Sequence, residues 1–597
     1  MYKDFFNEAR DGRRHRLELN RRNFDALHNR MDWSHKIEGQ TQEFLPKTGV
    51  ALEQFAALVE KSITGWKDWY MPVLGRSGRF PLSPEQCRSF LDALLDTTAI
   101  NATETGPVQP IIVDGIKLGA LGSLAVFKVY PKMQYPNDKG VFRICIEPVR
   151  QEDYYPDPTS RGLYRIHRSE CDYYTVKHRA DEGIYDADKV DELKSWFEQE
   201  RQAQAAKDKG HSLSISPSVR RVVTIDEYWG DILDENGVCV MKNAYMTIAN
   251  ERFVLRPPQP NPFWHQKWPF VEIPLIRVPH SVWHRALFDG PVEINLTLNE
   301  LWSLMIDGAI GSVWGTRQLK TDALENPEEV SAGVPQGKTL QIKSGVLAPG
   351  EKVMEDVTNG AVPAEALQMF QLLSSSFAES AMSNELRLGN FTGRSVKATE
   401  VVEASQAIGS LLEGIAKNVE RGVGDLLYLV WMNAIQHIEL IDPWLLIESL
   451  GPGPALFLMR APPEARKEMF SSPISFRVSG MSALIGRTKD FQKMMALLQG
   501  IGANPILLME FFKVYAPGSI LAHLIKSLNI DPEQIKRDEK SLQGIPTELE
   551  QLAVFNQVVS PKAGQNPGQS PTTTGESSLP AEINQMTNPL TGIPASR

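Results

Sequence analysis

The chain has 597 residues, a net charge of −10 and a pI of about 5.7. Its length predicts about four domain-sized units, and with 42% hydrophobic and 23% charged residues it has the composition of a protein with a full core. The acidic balance excludes a protein that grips nucleic acid over its whole surface, though not one that surrounds it loosely. Cys87, Cys145, Cys171 and Cys239 are far apart and have no clustered histidines near them. Neither a disulfide framework nor a zinc site is expected, and a reducing compartment fits. The N-terminus has no signal-peptide core, and no apolar run reaches the roughly 18 residues that would suggest a membrane span.

Residues 1–100 read as helical. Arg10, Arg13, Arg14, Arg16, Arg21 and Arg22 make a basic start diluted by Asp11 and Glu18. This predicts a solvated helix face, with contact to nucleic acid or a partner as the alternative. Gln54–Met71 carries Phe55, Leu58, Val59, Ile63 and Trp66 at helical spacing. Between 105 and 150, short apolar runs set off by Gly and Pro predict strands at Ile111–Val113, Leu124–Tyr130 and Val141–Ile146. A charged, exposed helix is expected over 180–210, followed by strands at Arg220–Trp229, Val238–Ala249 and Phe253–Leu255. Phe263, Trp264, Trp268, Phe270 and Trp283 lie in and just after a Pro-rich stretch. Core packing is the expectation for them, a binding surface the alternative. Residues 105–280 are therefore an α+β region.

Three long helices follow, at Phe288–Gly315, Ala361–Leu388 and Val396–Ile438. The third would span roughly 60 Å at 1.5 Å per residue, more than most globular domains need. Between the first two lies a Gly/Pro-rich insert with strand-like pieces at Thr339–Ile342 and Lys352–Met354. The first two helices hold seven acids, Asp289, Glu293, Glu300, Asp307, Glu365, Glu379 and Glu385. The bases Arg387, Arg394 and Lys397 gather at the end of the second helix and in the loop after it. Residues 440–545 read as mixed and mainly helical. The Pro/Gly/Ser/Thr-rich end, from about Ser560, lacks the apolar content to order itself.

Glu293, Glu300 and Asp307 recur every seven residues, which sets three carboxylates along one side of a helix with only about 20° of drift per heptad. A solvated face is one reading and a charged wall the other. In a ring of subunits such a wall would become belts of negative charge. In the third helix, Val401, Ile408, Leu412, Ile415, Val419, Leu426 and Leu429 alternate near spacings of three and four, as in a bundle seam. Packing between neighbouring subunits is expected, a buried helix within one chain being the alternative. Gly409, Gly414, Gly422 and Gly424 interrupt the seam and mark bends or close contacts. Gly333-Val-Pro-Gln-Gly337-Lys338-Thr339 imitates a phosphate loop but has three residues where that motif needs four, so ATP binding is not expected there. No catalytic signature is present, and no cofactor is implied.

In this order the elements resemble phage portal proteins, the head–tail connectors of tailed bacteriophages, particularly the short-tailed (podovirus) type. Arg394-Ser-Val-Lys-Ala-Thr-Glu400-Val is similar to the stretch that opens that family's long helix. Pro473–Gly480, continuing to Gly486-Arg487, resembles its strand and G-L-x-A-L-G-R-like segment. Before the first long helix only Gly290-Pro-Val292 matches the family's usual stretch. The resemblance implies an α+β portal fold with wing, stem, clip and crown, assembled as a homo-oligomeric, usually dodecameric, ring. Carried onto this sequence, it divides the chain into a wing (1–287), stem helix 1 (288–315), clip (316–360) and stem helix 2 (361–388). A tunnel loop (389–397), a long wing helix with its connection (398–470), a crown region (471–555) and a disordered tail (556–597) complete it.

The resemblance also implies a channel for double-stranded DNA at a unique capsid vertex, and assembly in the bacterial host cytoplasm. It implies docking to scaffolding and major capsid proteins, then to the terminase large subunit, then to head–tail adaptor and tail proteins. No chemistry of the chain's own is implied. The channel or DNA-proximal candidates are Glu293, Glu300, Asp307, Glu379, Arg387, Arg394 and Lys397. The subunit-interface candidates are Leu367, Phe370, Phe377, Ile408, Leu412, Ile415 and Val419. The competing classes are another phage structural oligomer, such as a capsid or tail component, and an enzyme acting on nucleic acid.

Overall fold

Amphipathic helices open the chain: α1 (Tyr2–Gly12), α2 (Arg14–Leu27) and α3 (Lys47–Thr64), before strand β1 (Tyr70–Leu74) and helix α4 (Pro84–Asp96). The computed structural model describes residues 1–64, 69–75, 81–99, 105–134, 140–159, 162–207, 221–313, 317–329, 341–344, 352–356, 362–381, 398–470 and 473–478. The chain divides into two units, Met1–Gly486 and Arg487–Arg597, and every described residue lies in the first. The expected tunnel loop, the phosphate-loop imitation, the crown beyond Val478 and the tail lie outside the described residues.

Two five-stranded sheets follow. The first has the order β11-β4-β5-β2-β3, with β2 (Thr98–Ala99), β3 (Thr105–Gly106), β4 (Ala125–Gln134), β5 (Val141–Val149) and β11 (Phe270–Ile273). The second has the order β10-β9-β8-β7-β6, with β6 (Tyr154–Pro156), β7 (Tyr164–Asp172), β8 (Val222–Leu233), β9 (Cys239–Ala249) and β10 (Phe253–Pro260). The run Ile111–Val113, expected as a strand, is the middle of helix α5 (Val108–Leu121). A short apolar run has no period of its own to tell strand from helix. Here Ile112 and Val113 are buried in the core with the first sheet, while Asp114 of the same helix is exposed. Pro110 is tolerated because it falls in the first turn, where its missing N–H has no helical partner to lose.

Strand β4 has both faces buried. Phe127 and Val129 turn to the helical side, where Phe127 sits against Gly115 of α5. Val126 packs the other way with Val149 and Tyr154, and Lys128 reaches the second sheet. That second sheet is likewise covered twice. Helices α6 (Tyr173–Asp181) and α7 (Ala187–Lys207) cover Val223 and Ile225, while α1 lays Phe6 on Tyr155 and Phe5 on Tyr164 and Tyr228. The Pro-rich aromatics serve packing. Phe263 stacks on Trp229 with centroids 5.7 Å apart, and Trp264 takes its backbone N–H to Gln436 at 3.0 Å.

The long helices are α8 (Asp289–Val313), α9 (Ala364–Ser380) and α10 (Ala398–Gln436); α8 and α10 lie within two residues of their expected bounds, whereas α9 ends eight residues before Leu388, and 382–397 lie outside the described residues. Between α8 and α9, β12 (Arg317–Leu319) pairs antiparallel with β13 (Met354–Asp356). Three short helices, α11 (Pro443–Leu450), α12 (Pro452–Arg460) and α13 (Pro463–Met469), precede β14 (Ile474–Val478), which returns to pair antiparallel with β1.

The basic N-terminus is a solvated face at Arg10, Arg14 and Arg21, which are exposed, but the sequence reading is corrected at Arg13 and Arg16. Arg13 and Arg16 are buried at 5% and 8% exposure. Arg13 donates to the carbonyls of Gln151, Glu152 and Tyr154 and lies 3.4 Å over the Tyr155 ring. Alternating charge on a helix looks the same in sequence whether it meets water or buried carbonyl oxygens.

The two sheets are latched by a buried charged cluster. Lys128 Nζ lies 2.8 Å from Glu227 and 3.3 Å from His167 Nδ1. Burial, reinforced by the Lys128 ammonium, pushes the His167 imidazole down to about 3. For Glu227 burial alone would raise the carboxyl, but Lys128 outweighs it and holds it at about 2. Between pH 6.5 and about 3 the unfolded state therefore binds a proton on this histidine that the folded state refuses. Stability falls with falling pH by about 1.4 kcal/mol per unit for that group, and Glu227 adds loss of the same sign below about 4.5. Urea unfolding at pH 7 and pH 5 should show this slope, and His167→Gln should flatten it. An unchanged slope in that variant would refute the assignment.

Candidate functional site

Helix α8 starts at Asp289, whose side chain reaches back to the segment just before the helix. The carboxylate accepts the Ala286 N–H at 2.9 Å and suits the positive end of the helix dipole. Burial would raise this carboxyl, but the bidentate Arg16 guanidinium, Asn23 and the Ala286 N–H hold it below its ordinary value.

One face of α8 is a buried polar ladder. Asn295, Asn299 and Ser303 are fully buried, and Asp307 continues their four-residue spacing. An extended arm, residues 41–46, lies along it, and Thr48 follows in the first turn of α3. Asn295 donates to Thr48 Oγ1 at 3.1 Å, Leu45 N–H to Asn299 at 2.7 Å, Glu43 N–H to Ser303 at 3.3 Å and Thr41 N–H to Asp307 at 2.8 Å. The two repeats match. Four helical residues rise about 6.0 Å, and two extended residues about 6.6 Å, so alternate arm N–H groups meet successive rungs. Asn299→Leu should leave the Leu45 N–H buried without an acceptor and cost about 1–3 kcal/mol. Amide exchange should quicken at Leu45 first, and unchanged protection there would contradict the ladder.

Helix α9 packs on α8 on the side of Phe370, which Ala366, Leu373 and Phe377 share at spacings of four, three and four. The Phe370 ring lies 5.3 Å from Trp302. Phe377 is buried in the chain's own core, Phe370 is half-buried, and Leu367 is 50% exposed. Ile415 and Val419 of α10 are also buried in that core. The seam expected between subunits is thus filled, over its described half, by the same chain's sheet and β14. Gly422 and Gly424 mark the close contacts, their Cα atoms facing Ile273 and the Phe476 carbonyl. The side chains of Ile408 and Leu412 lie outside the described residues, as do Arg387, Arg394 and Lys397 altogether.

The acidic row meets partners from its own chain. Glu293 pairs with Arg22 at 2.6 Å, and Glu300 lies 3.8 Å from the His35 ring. Asp307 holds the arm, and Glu379 is exposed on α9. Among the described residues no group of three or more His, Cys, Asp or Glu is placed to hold a metal ion. No described helix is long and apolar enough to cross a membrane.

This paired-helix arrangement, with its small insert and long third helix, falls within a known pattern. The family model described as phage SU10 portal protein matches residues 93–418, more than half of the chain. The chain belongs to this portal protein family. No curated protein matches it significantly. Portal proteins are oligomeric structural components of the phage particle, associated with capsid and DNA, so this chain is a portal protein of α+β architecture. The match runs through both α8 and α9 and into the first half of α10.

Proposed function

We propose that the chain is one subunit of a homo-oligomeric ring, a dodecamer, at the unique portal vertex of a short-tailed phage, through which double-stranded DNA is packaged and ejected. The observation that carries this reading is the order α8, insert, α9, long α10 under the family match. It supports α8 and α9 as the stem, the β12–β13 insert as the clip, and the α+β region as the wing. The clip is the proposed dock for the terminase motor and then for the adaptor and tail proteins. The wing and crown take the scaffolding and capsid contacts.

Passage of DNA requires weak contact, since a strongly basic lining would hold it through counterion release. Glu293, paired with Arg22, together with Glu300 and Glu379 makes a mildly acidic stem surface. Arg394 and Lys397, with Arg387, supply transient phosphate contacts from the loop before α10. Arg394→Ala with Lys397→Ala should leave assembly intact and lower packaging yield or DNA retention in filled heads. Normal retention in that double variant would remove the loop's DNA role.

A further inference from the structure

Helix α9 carries three stripes, and only one of them packs on α8. On one side of the packed stripe run Gln371, Ser374 and Ala378, spaced three and four apart. On the other run Glu365, Met369, Leu372, Ser376 and Glu379, spaced four, three, four and three. At 100° per residue the two stripes lie about 105° either side of the packed one, so they face opposite ways. Their chemistry differs. The second is a ridge, with Met369 58% and Leu372 66% exposed between two carboxylates. The first borders an open groove of about 610 Å3 between α9 and α3, walled by Leu45, Val50, Ala51 and Phe377. Among the described residues Lys47 is the groove's single cation, and no acid lines it.

We propose that the ridge of one subunit enters the groove of the next. This rests on the ring reading. A cyclic ring repeats one head-to-tail contact, so each subunit must present two different, mutually complementary faces on opposite sides. The apolar pair Met369 and Leu372 matches the apolar wall, and Glu365 and Glu379 bring negative charge to the groove that holds Lys47. The arm forms part of that groove. The ladder on α8, which fixes Leu45 and Thr48, therefore sets the groove's shape as well as holding the arm.

The direct test is a covalent link across the contact. The full chain carrying Val50→Cys and Leu372→Cys is treated with a short bis-maleimide after assembly. Multiples of the 66.8 kDa subunit up to the closed ring are expected from the double variant, and monomers from either single variant, which carry the same native cysteines. Leu372→Asp, at an exposed position, should keep the wild-type melting temperature and reduce ring formation at least tenfold. Rings visible by negative stain with neither the link nor the Leu372→Asp defect would overturn this contact and leave the ring reading standing. A wild-type chain that forms no ring would overturn both.

Discussion

Replacing Arg16 with Met is expected to destabilise the chain by about 3–5 kcal/mol, the cost of stranding a buried charge. Asp289 has 14% side-chain exposure and accepts two bonds from the Arg16 guanidinium, at 2.6 and 2.8 Å. Without that cation its carboxylate keeps only Asn23 and the Ala286 N–H. The loss falls at a junction, because α2 is what joins the sheet-bound α1 to the start of α8. Adding Asp289→Asn to Arg16→Met should recover part of the stability, since the stranded charge is then gone and contacting residues do not add independently. Urea unfolding of the two single variants and the double variant measures this. A single Arg16→Met variant within about 1 kcal/mol of wild type would show that the pair does not anchor the helix.

The glycines of α10 should divide in sign. A Cβ at Gly424 would sit 2.6 Å from the Phe476 carbonyl oxygen, which belongs to a paired strand and cannot swing aside. Gly424→Val should therefore force α10 off β14 and cost about 3 kcal/mol. A Cβ at Gly414 meets nothing within 4 Å. Gly414→Ala should instead stabilise by about 0.5–1 kcal/mol, through helix propensity and the smaller entropy of the unfolded chain. Thermal melts of the two variants should move in opposite directions. A shared direction would mean that the helix does not approach β14 as described.

The long helices were legible because 25 and 39 residues of helical pattern leave little room for another reading. The strands at Leu124–Tyr130 and Val141–Ile146 were legible as runs of six or seven residues rich in β-branched and aromatic side chains, set off by Gly and Pro. Ile111–Val113 was not, because three apolar residues carry no period. The arm along α8 was missed although its signal stands in the sequence. Asn295, Asn299, Ser303 and Asp307 form a polar stripe at four-residue spacing within an apolar helix. Attention to the acids alone found the seven-residue row and passed over the ladder that shares Asp307 with it. What bonds to such a stripe depends on a segment some 250 residues earlier in the chain, which spacing cannot reveal. The same limit applied to Ile415 and Val419. A seam of threes and fours states that a helix is buried on one side, without saying whether its own chain or a neighbour covers it.

Ile415→Asp would place a charge in the subunit's own core, so loss of rings in that variant would report unfolding. Exposed positions such as Leu372 separate assembly from folding.

The most direct measurement of the central claim is negative-stain imaging of the purified full-length chain under assembly-favouring conditions, with mass measured on the same sample. Rings of about a dozen copies with radial symmetry and a central hole wide enough for duplex DNA, some 20 Å, are the result expected of a portal subunit. A stable 66.8 kDa monomer, or a two-fold dimer without a hole, would contradict it.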